Sequence, residues 1–414
     1  MIARILLACA LASSVFGQSP GFPARKPMSD EMLTRVRPIM DGLYRLDYPP
    51  AEALCQRLIQ DFPDHPAGYV YRERTYFSEE LSKARLWSAA RALGMDLFSD
   101  SPRFNLPVAP DSDARFRRAA DWAIEKAHLW IKQHPDDLSG QYLLGSAYAF
   151  KSAYEFSIRH SRLSASADAS RTFKVLSKLV RDQGDVVDAR ALTGAFSILA
   201  DSLDFKTKVV AALFLGIHGN LKVGRRDMED ASERGFVEND DAKLLLSILY
   251  TRERDFDQAM TKLAQLHKRY PENYLVHLEM AAVDLISGNP TQALERYREM
   301  LAKDSPNLEC SVVLSRMGVA SRITGDFAQS ERWLHDAVAS PGISAISLSL
   351  ARLELGKTLD LQARRVSAVE QYRLVLQGND FLGIWREAQQ WLRRPYDRAA
   401  MSQDNIAGGL VTLD

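Results

Sequence analysis

Cysteine is scarce here, three in 414 residues, so a small disulfide-stapled scaffold is excluded. An excess of either charge is missing too. The 53 Lys+Arg balance 53 Asp+Glu, which argues against a phosphate-backbone binder, since that needs a basic stripe. No apolar run reaches the about 18–20 residues a membrane helix requires. The longest outside the N-terminus, Val209 to Ile217, reads as a buried helix. Alternating β-branched stretches bounded by turn dipeptides are also wanting, so strands are not expected. What remains is 46% hydrophobic and 26% charged, the balance of a folded protein.

The first 17 residues have the order of a secretory signal. Arg4 precedes an apolar run from Ile5 to Ala12, and Val15 and Gly17 stand at −3 and −1 of a cleavage site before Gln18. The mature chain is therefore expected outside the cytoplasm, in the periplasm or associated with the cell envelope. Leu6-Leu7-Ala8-Cys9 could pass as an acylation box, but it leaves too little hydrophobic segment before the cysteine. Cleavage leaves Cys55 and Cys310, 255 positions apart. Such distant positions rarely meet in an extended array, so two buried free thiols are expected.

Chemistry-bearing motifs are thin. Leu355-Gly356-Lys357-Thr358 holds the end of a phosphate loop, but Ala351 stands where its first glycine belongs and the context is helical. The eight histidines are scattered, and none forms a His-x-x-x-His pair. His277, on an apolar helix, reads as a packed core histidine. Glu238-Asn239-Asp240-Asp241 reads as acids capping a helix start, and Asp255-x-Asp257 lacks the glycine and distal glutamate of a calcium loop. No nucleophile elbow occurs. Neither a metal, a cofactor nor a catalytic site is expected.

What is abundant is helical periodicity that repeats. Asp255-Phe256, Ala259, Leu263 and Leu266 recur 34 residues later as Asn289, Ala293, Tyr297 and Met300. A third unit carries Met317-Gly318, Gly325-Asp326-Phe327, Leu334 and Ala337, and a fourth carries Leu355-Gly356, Leu359, Ala368, Tyr372 and Val375. Each has two helical stretches joined by a polar or glycine-bearing turn. This grammar resembles the tetratricopeptide repeat family. Ser321 and Ser330 in the third unit depart from the family's Tyr and Ala. Leu144-Gly145-Ser146-Ala147-Tyr148 is the best first-helix signature in the more divergent first half. Over about 138–300, the order of Leu144-Gly145, Gly194-Ala195-Phe196, Gly216-Ile217-His218 and Gly224-Arg225-Arg226 loosely resembles exported bacterial tetratricopeptide proteins of unknown function.

The resemblance implies an all-α, right-handed α-solenoid that binds proteins rather than acting on them. The expected organisation is a signal peptide (1–17), a flexible segment (18–30) and divergent helical repeats (31–239) with an insertion at 81–115. Four regular repeats (240–382), a capping helix (383–398) and a disordered tail (399–414) follow. Ser161 to Ser170 is expected as a loop or a loop-to-helix boundary.

The expected ligand is a protein or peptide of unknown identity, gripped in the concave groove; the alternative is an assembly subunit of an envelope complex. At about 100° per residue, the face of each first helix opposite its partner supplies that groove. These positions are Leu275, Leu278, Ala282, Leu285 and Ile286, then Val312, Ser315, Val319, Arg322 and Ile323, then Leu350, Leu353, Lys357, Asp360 and Leu361. The reading is an apolar groove rimmed by Arg322, Lys357 and Asp360, suited to an amphipathic helix or extended peptide. The same aliphatics could instead pack against adjacent first helices. Leu278→Asp and Leu285→Arg separate the two.

Overall fold

Among the described residues, a left-handed turn residue separates the helices of a pair at six places: Leu46, His160, Arg254, Gly288, Gly325 and Ala363, with φ from 53° to 90°. An acid or amide follows four of them, and Asp255 and Asp326 cap the second helix by accepting from the N–H three residues on. Arg254 and Gly288 lie 34 positions apart, but Gly288 and Gly325 lie 37 apart and Gly325 and Ala363 lie 38 apart. The period thus lengthens twice along the array.

The computed structural model describes residues 24–83, 108–201, 219–303, 308–380 and 383–406. The signal segment, most of the 81–115 insertion and the Val209–Ile217 run lie outside these. Among the described residues there are eighteen α-helices and no strand. In chain order they form pairs: α1 (Asp30–Tyr44) with α2 (Tyr48–Asp61), α3 (Ala67–Lys83) with α4 (Pro110–Gln133), α5 (Leu138–Ser157) with α6 (Arg162–Gln183), and α7 (Val187–Asp201) with α8 (Leu221–Arg234). Next come α9 (Asn239–Arg252) with α10 (Phe256–Arg269), α11 (Tyr274–Ile286) with α12 (Pro290–Ala302), α13 (Cys310–Ile323) with α14 (Phe327–Val338), and α15 (Ala345–Leu361) with α16 (Arg365–Gln377). The chain then adds α17 (Ile384–Arg393) and α18 (Arg398–Ile406). The expected loop at 161–170 is helical from Arg162, and residues 399–406, expected to be disordered, belong to α18.

From α1 to α17 each helix packs on the next in sequence, and odd-numbered helices also pack on odd-numbered ones: α1 on α3, α3 on α5, α5 on α7, α7 on α9, α13 on α15 and α15 on α17. Even-numbered helices make no comparable contact with one another. First helices therefore run along the inside of the curve and second helices along the outside. The result is an all-α solenoid.

The repeated positions explain the packing. Ala259, Ala293, Ser330 and Ala368, equivalent in four successive second helices, are fully buried, as are Leu263, Tyr297, Leu334 and Tyr372 one turn later. The small residue lets the helices approach, and the large one fills the gap to the first helix. Gly356 shows how tight that gap is: a Cβ there would stand 2.4 Å from Cε1 of Tyr372. Gly356→Ala should gain about 1 kcal/mol in helix propensity. It should lose about 1–3 kcal/mol to overpacking against a ring that has nowhere to go. The expected outcome is a lowered thermal midpoint, whereas exposed Gly288→Ala should lose stability only through its positive φ. The phosphate-loop lookalike thus has a packing role.

Cys55 is buried, and burial pushes its thiol up to about 12. Cys310 is also free but exposed at the start of α13. It begins the first turn on the open side, which corrects the expectation of two buried thiols.

Candidate functional site

The inside of the curve differs between the two ends of the chain. In the first five pairs it is filled. Arg74 on α3 reaches across to α9, donating from Nη1 to both carboxylate oxygens of Glu238 at 3.1 and 3.2 Å and from Nη2 to Asp241. Its guanidinium lies 4.9 Å from the Phe150 ring of α5, and Tyr142, also on α5, donates to Glu238 at 2.9 Å. Asp188, on α7, accepts from the backbone N–H groups of Phe236, Val237 and Glu238. The chain leading into α9 is thereby held by a carboxylate 50 positions upstream of Glu238.

This corrects the reading of Glu238-Asn239-Asp240-Asp241 as self-capping acids. Glu238 occupies the cap position but makes no side-chain cap bond. Its carboxylate is committed to Arg74 and Tyr142. Burial pushes Glu238 up to about 8, against the pull of Arg74, with Asp241 and Asp188 adding to the rise.

The same acids recruit the N-terminal helix. Tyr44 donates to Asp241 at 2.9 Å and stacks on Tyr270, ring centroids 5.1 Å apart. The Tyr270 hydroxyl lies 2.9 Å from Asp41 and 2.8 Å from Asp240. Arg269 pairs with both of those acids, and Asn273 donates to the Tyr44 carbonyl. The inner surface of these pairs is thus closed by the protein's own side chains.

The other end holds the residues expected to form a groove. Leu275, Leu278, Val312, Ser315, Ile323, Leu350 and Leu361 are half-buried. Ala282, Leu285, Ile286, Val319 and Leu353 are buried. Leu285 and Val319 share one core cluster with Ala281, Tyr297 and Met317, with Leu278 packed at its edge, and Leu353 belongs to the next cluster. Ala282 and Ile286 pack on Phe256. Neighbouring first helices therefore consume the deeper half of the expected face, and the shallower half stays accessible.

The charges placed on a rim are not on one. Arg322, Lys357 and Asp360 are 1%, 2% and 8% exposed, which corrects that expectation. Arg322 pairs with Glu354 at 2.6 Å, and Lys357 pairs with Glu354 at 3.1 Å and with Glu387. Burial pushes Glu354 up, but Arg322 and Lys357 outweigh it and hold the carboxyl down to about 2. Asp360 accepts from Arg365, from the Tyr372 hydroxyl and from the backbone N–H of Tyr396. Charges bury here because each finds its counter-charge on its own helix or on one packed against it.

His277 is buried against His267, ring centroids 4.8 Å apart, with Glu299 at 3.6 Å. Burial and the His267 ring lower it to about 4. Among the described residues, no group of three His, Cys, Asp or Glu is placed to hold a metal ion, and no helix is long and apolar enough to cross a membrane.

Sequence reading missed both Tyr396 and the Arg74 hub. The one available signal for Tyr396 was an aromatic beside Pro395 just beyond a helix end. For Arg74 there was no local signal, because its partners lie 164 and 167 positions away.

Residues 241–273 match the tetratricopeptide repeat family model, covering most of α9, all of α10 and the turn into α11. Among solved structures, yeast Tom70 aligns over 91% of this chain and 90% of its own at 13% identity, with a TM-score of 0.37. No curated protein matches. The α9–α10 pair thus matches a tetratricopeptide repeat, within an all-α solenoid of helix pairs laid out on the same helix–turn–helix plan.

Proposed function

We propose that the protein is an exported scaffold that binds a protein or peptide partner along the inner face of its C-terminal helix pairs. The observation that carries this reading is the contrast along the inner surface. The first five pairs fill theirs with the Arg74 and Tyr270 networks, while Leu275, Leu278, Val312, Ile323 and Leu350 keep part of their aliphatic surface in water. An apolar, helix-lined face of this kind suits an amphipathic helix or extended segment. The cations at the expected groove positions, Arg322 and Lys357, are buried and paired with Glu354, which disfavours a partner recognised by a terminal carboxylate. Export rests on the order of Arg4, the Ile5–Ala12 run and Val15-x-Gly17.

Substitution at one edge residue tests the groove. Leu278→Asp should abolish capture of the partner that wild type retains from envelope extracts, with a thermal midpoint close to wild type, because Leu278 is half-buried. Leu285→Arg, in the core, should unfold the repeat instead. Retention of the partner by a folded Leu278→Asp protein would overturn the groove. Export is tested separately by N-terminal mass spectrometry of the native protein. A first residue near Gln18 is expected, and intact Met1 recovered from the cytosol would refute it.

A further inference from the structure

The link between α17 and α18 is exposed at Arg394, Pro395, Asp397, Arg398 and Ala399, yet Tyr396 is 1% exposed. A single side chain of an otherwise solvated stretch is inserted into the protein. The stretch is extended: Arg394 has φ −139° and ψ 147°, as a residue before proline prefers.

The surroundings of Tyr396 come from three consecutive first helices. The Arg322 guanidinium of α13 lies 5.3 Å from the ring centroid and the Lys357 ammonium of α15 lies 5.5 Å away. Trp391 of α17 meets the ring edge-on at 4.9 Å. Asp360 of α15 accepts the Tyr396 backbone N–H at 2.9 Å. Cations against a ring favour an aromatic occupant, and a carboxylate accepting a main-chain N–H is indifferent to which chain supplies it. The ring also lies in the apolar cluster of Leu353, Ile384 and Trp391, and the charges around it are neutralised through Glu354 and Arg365.

We propose that the inner face of α13, α15 and α17 is a slot for the aromatic side chain of an extended peptide, and that Tyr396 occupies it in cis. The natural partner then presents an aromatic residue, with its own backbone N–H directed to Asp360, and displaces the Arg394–Asp397 segment. The inference deepens the groove reading and rests on it. The tether gives Tyr396 a local concentration of ~1 mM, which sets the competition an incoming peptide meets.

The test uses the full chain and a labelled, acetylated and amidated peptide of residues 392–400 (LRRPYDRAA). By fluorescence anisotropy, Tyr396→Ala should bind it at least tenfold more tightly than wild type. The same peptide with alanine at the tyrosine position should bind neither. Equal binding to wild type and to a folded Tyr396→Ala protein, or binding to neither, would overturn the proposal. Should Tyr396→Ala fail to fold, hydrogen exchange on the wild type decides. Exchange of the Tyr396 amide well ahead of the amides of α15 supports a removable plug, and exchange together with them refutes it. Leu278→Asp should leave binding of this peptide unchanged, so failure of the slot and failure of the wider groove are read separately.

Discussion

At about pH 9, where Glu238 is ionised, Arg74→Met is expected to cost about 3–5 kcal/mol, the scale for removing one partner of a buried ion pair. The Arg74 side chain is 5% exposed and its partner Glu238 is 3% exposed, so water cannot replace the lost guanidinium. Methionine fills similar volume, which keeps the cavity contribution small and isolates the charge. Glu238 would remain buried beside Asp241 and Asp188, and it would relieve the conflict by taking up a proton. The loss should therefore shrink as pH falls through about 8, where Glu238 takes up a proton in wild type as well. Hydrogen exchange should show faster opening across α1 to α10, the segment Arg74 and its partners bind together, while α13 to α17 keep their protection. A double-mutant cycle with Glu238→Gln measures the coupling itself. A loss below about 1 kcal/mol, the level of an exposed pair, would show that the inner surface of these pairs is not closed as described.

The difference between the two ends of the chain also explains which features were legible beforehand. Helix pairing in residues 240–382 was readable because packing is local. Ala259, Leu263 and their counterparts serve neighbours within one repeat, so a fixed period in sequence records a fixed distance in space. The closure of the first five pairs leaves no such record. Arg74 and Glu238, Tyr44 and Asp241, and Tyr270 and Asp41 are joined only when the stacked pairs bring α1 and α3 against α9 and the end of α10. Local reading consequently assigned Glu238 and its neighbours to helix capping. At the candidate site, the face of each first helix was drawn as a stripe, but a stripe cannot say how close the next helix stands. Leu285 and Val319 lost their exposure to that neighbour, and Arg322, Lys357 and Asp360 lost theirs to the returning Tyr396 segment.

One residue before Arg74, the opposite sign is expected. Glu73→Met should stabilise the protein by about 1–3 kcal/mol at pH 8, the range for a buried polar group without a hydrogen bond. Glu73 is fully buried, and neither carboxylate oxygen has a hydrogen-bond partner. Burial raises its pKa well above the ordinary carboxylate range, opposed by Lys151 and reinforced by Asp168 and Asp121. The group is a carboxyl with a folded-state pKa above its unfolded one, so the folded state holds a proton that the unfolded state releases. That difference costs stability as pH rises above about 4.5, the start of unfolded-state ionisation, and vanishes below it. The gain from Glu73→Met should accordingly be largest at pH 8 and smaller at pH 4, where only the unsatisfied neutral carboxyl remains to be relieved. Thermal midpoints of the variant and wild type at the two pH values read the effect directly. A variant that is destabilised at both would mean that Glu73 has a partner inside the protein that satisfies its oxygens. With an arginine that must stay paired and a glutamate that is better removed in successive positions, α3 separates the two costs of burying charge: one offset by counter-charges reached across the curve, the other left standing.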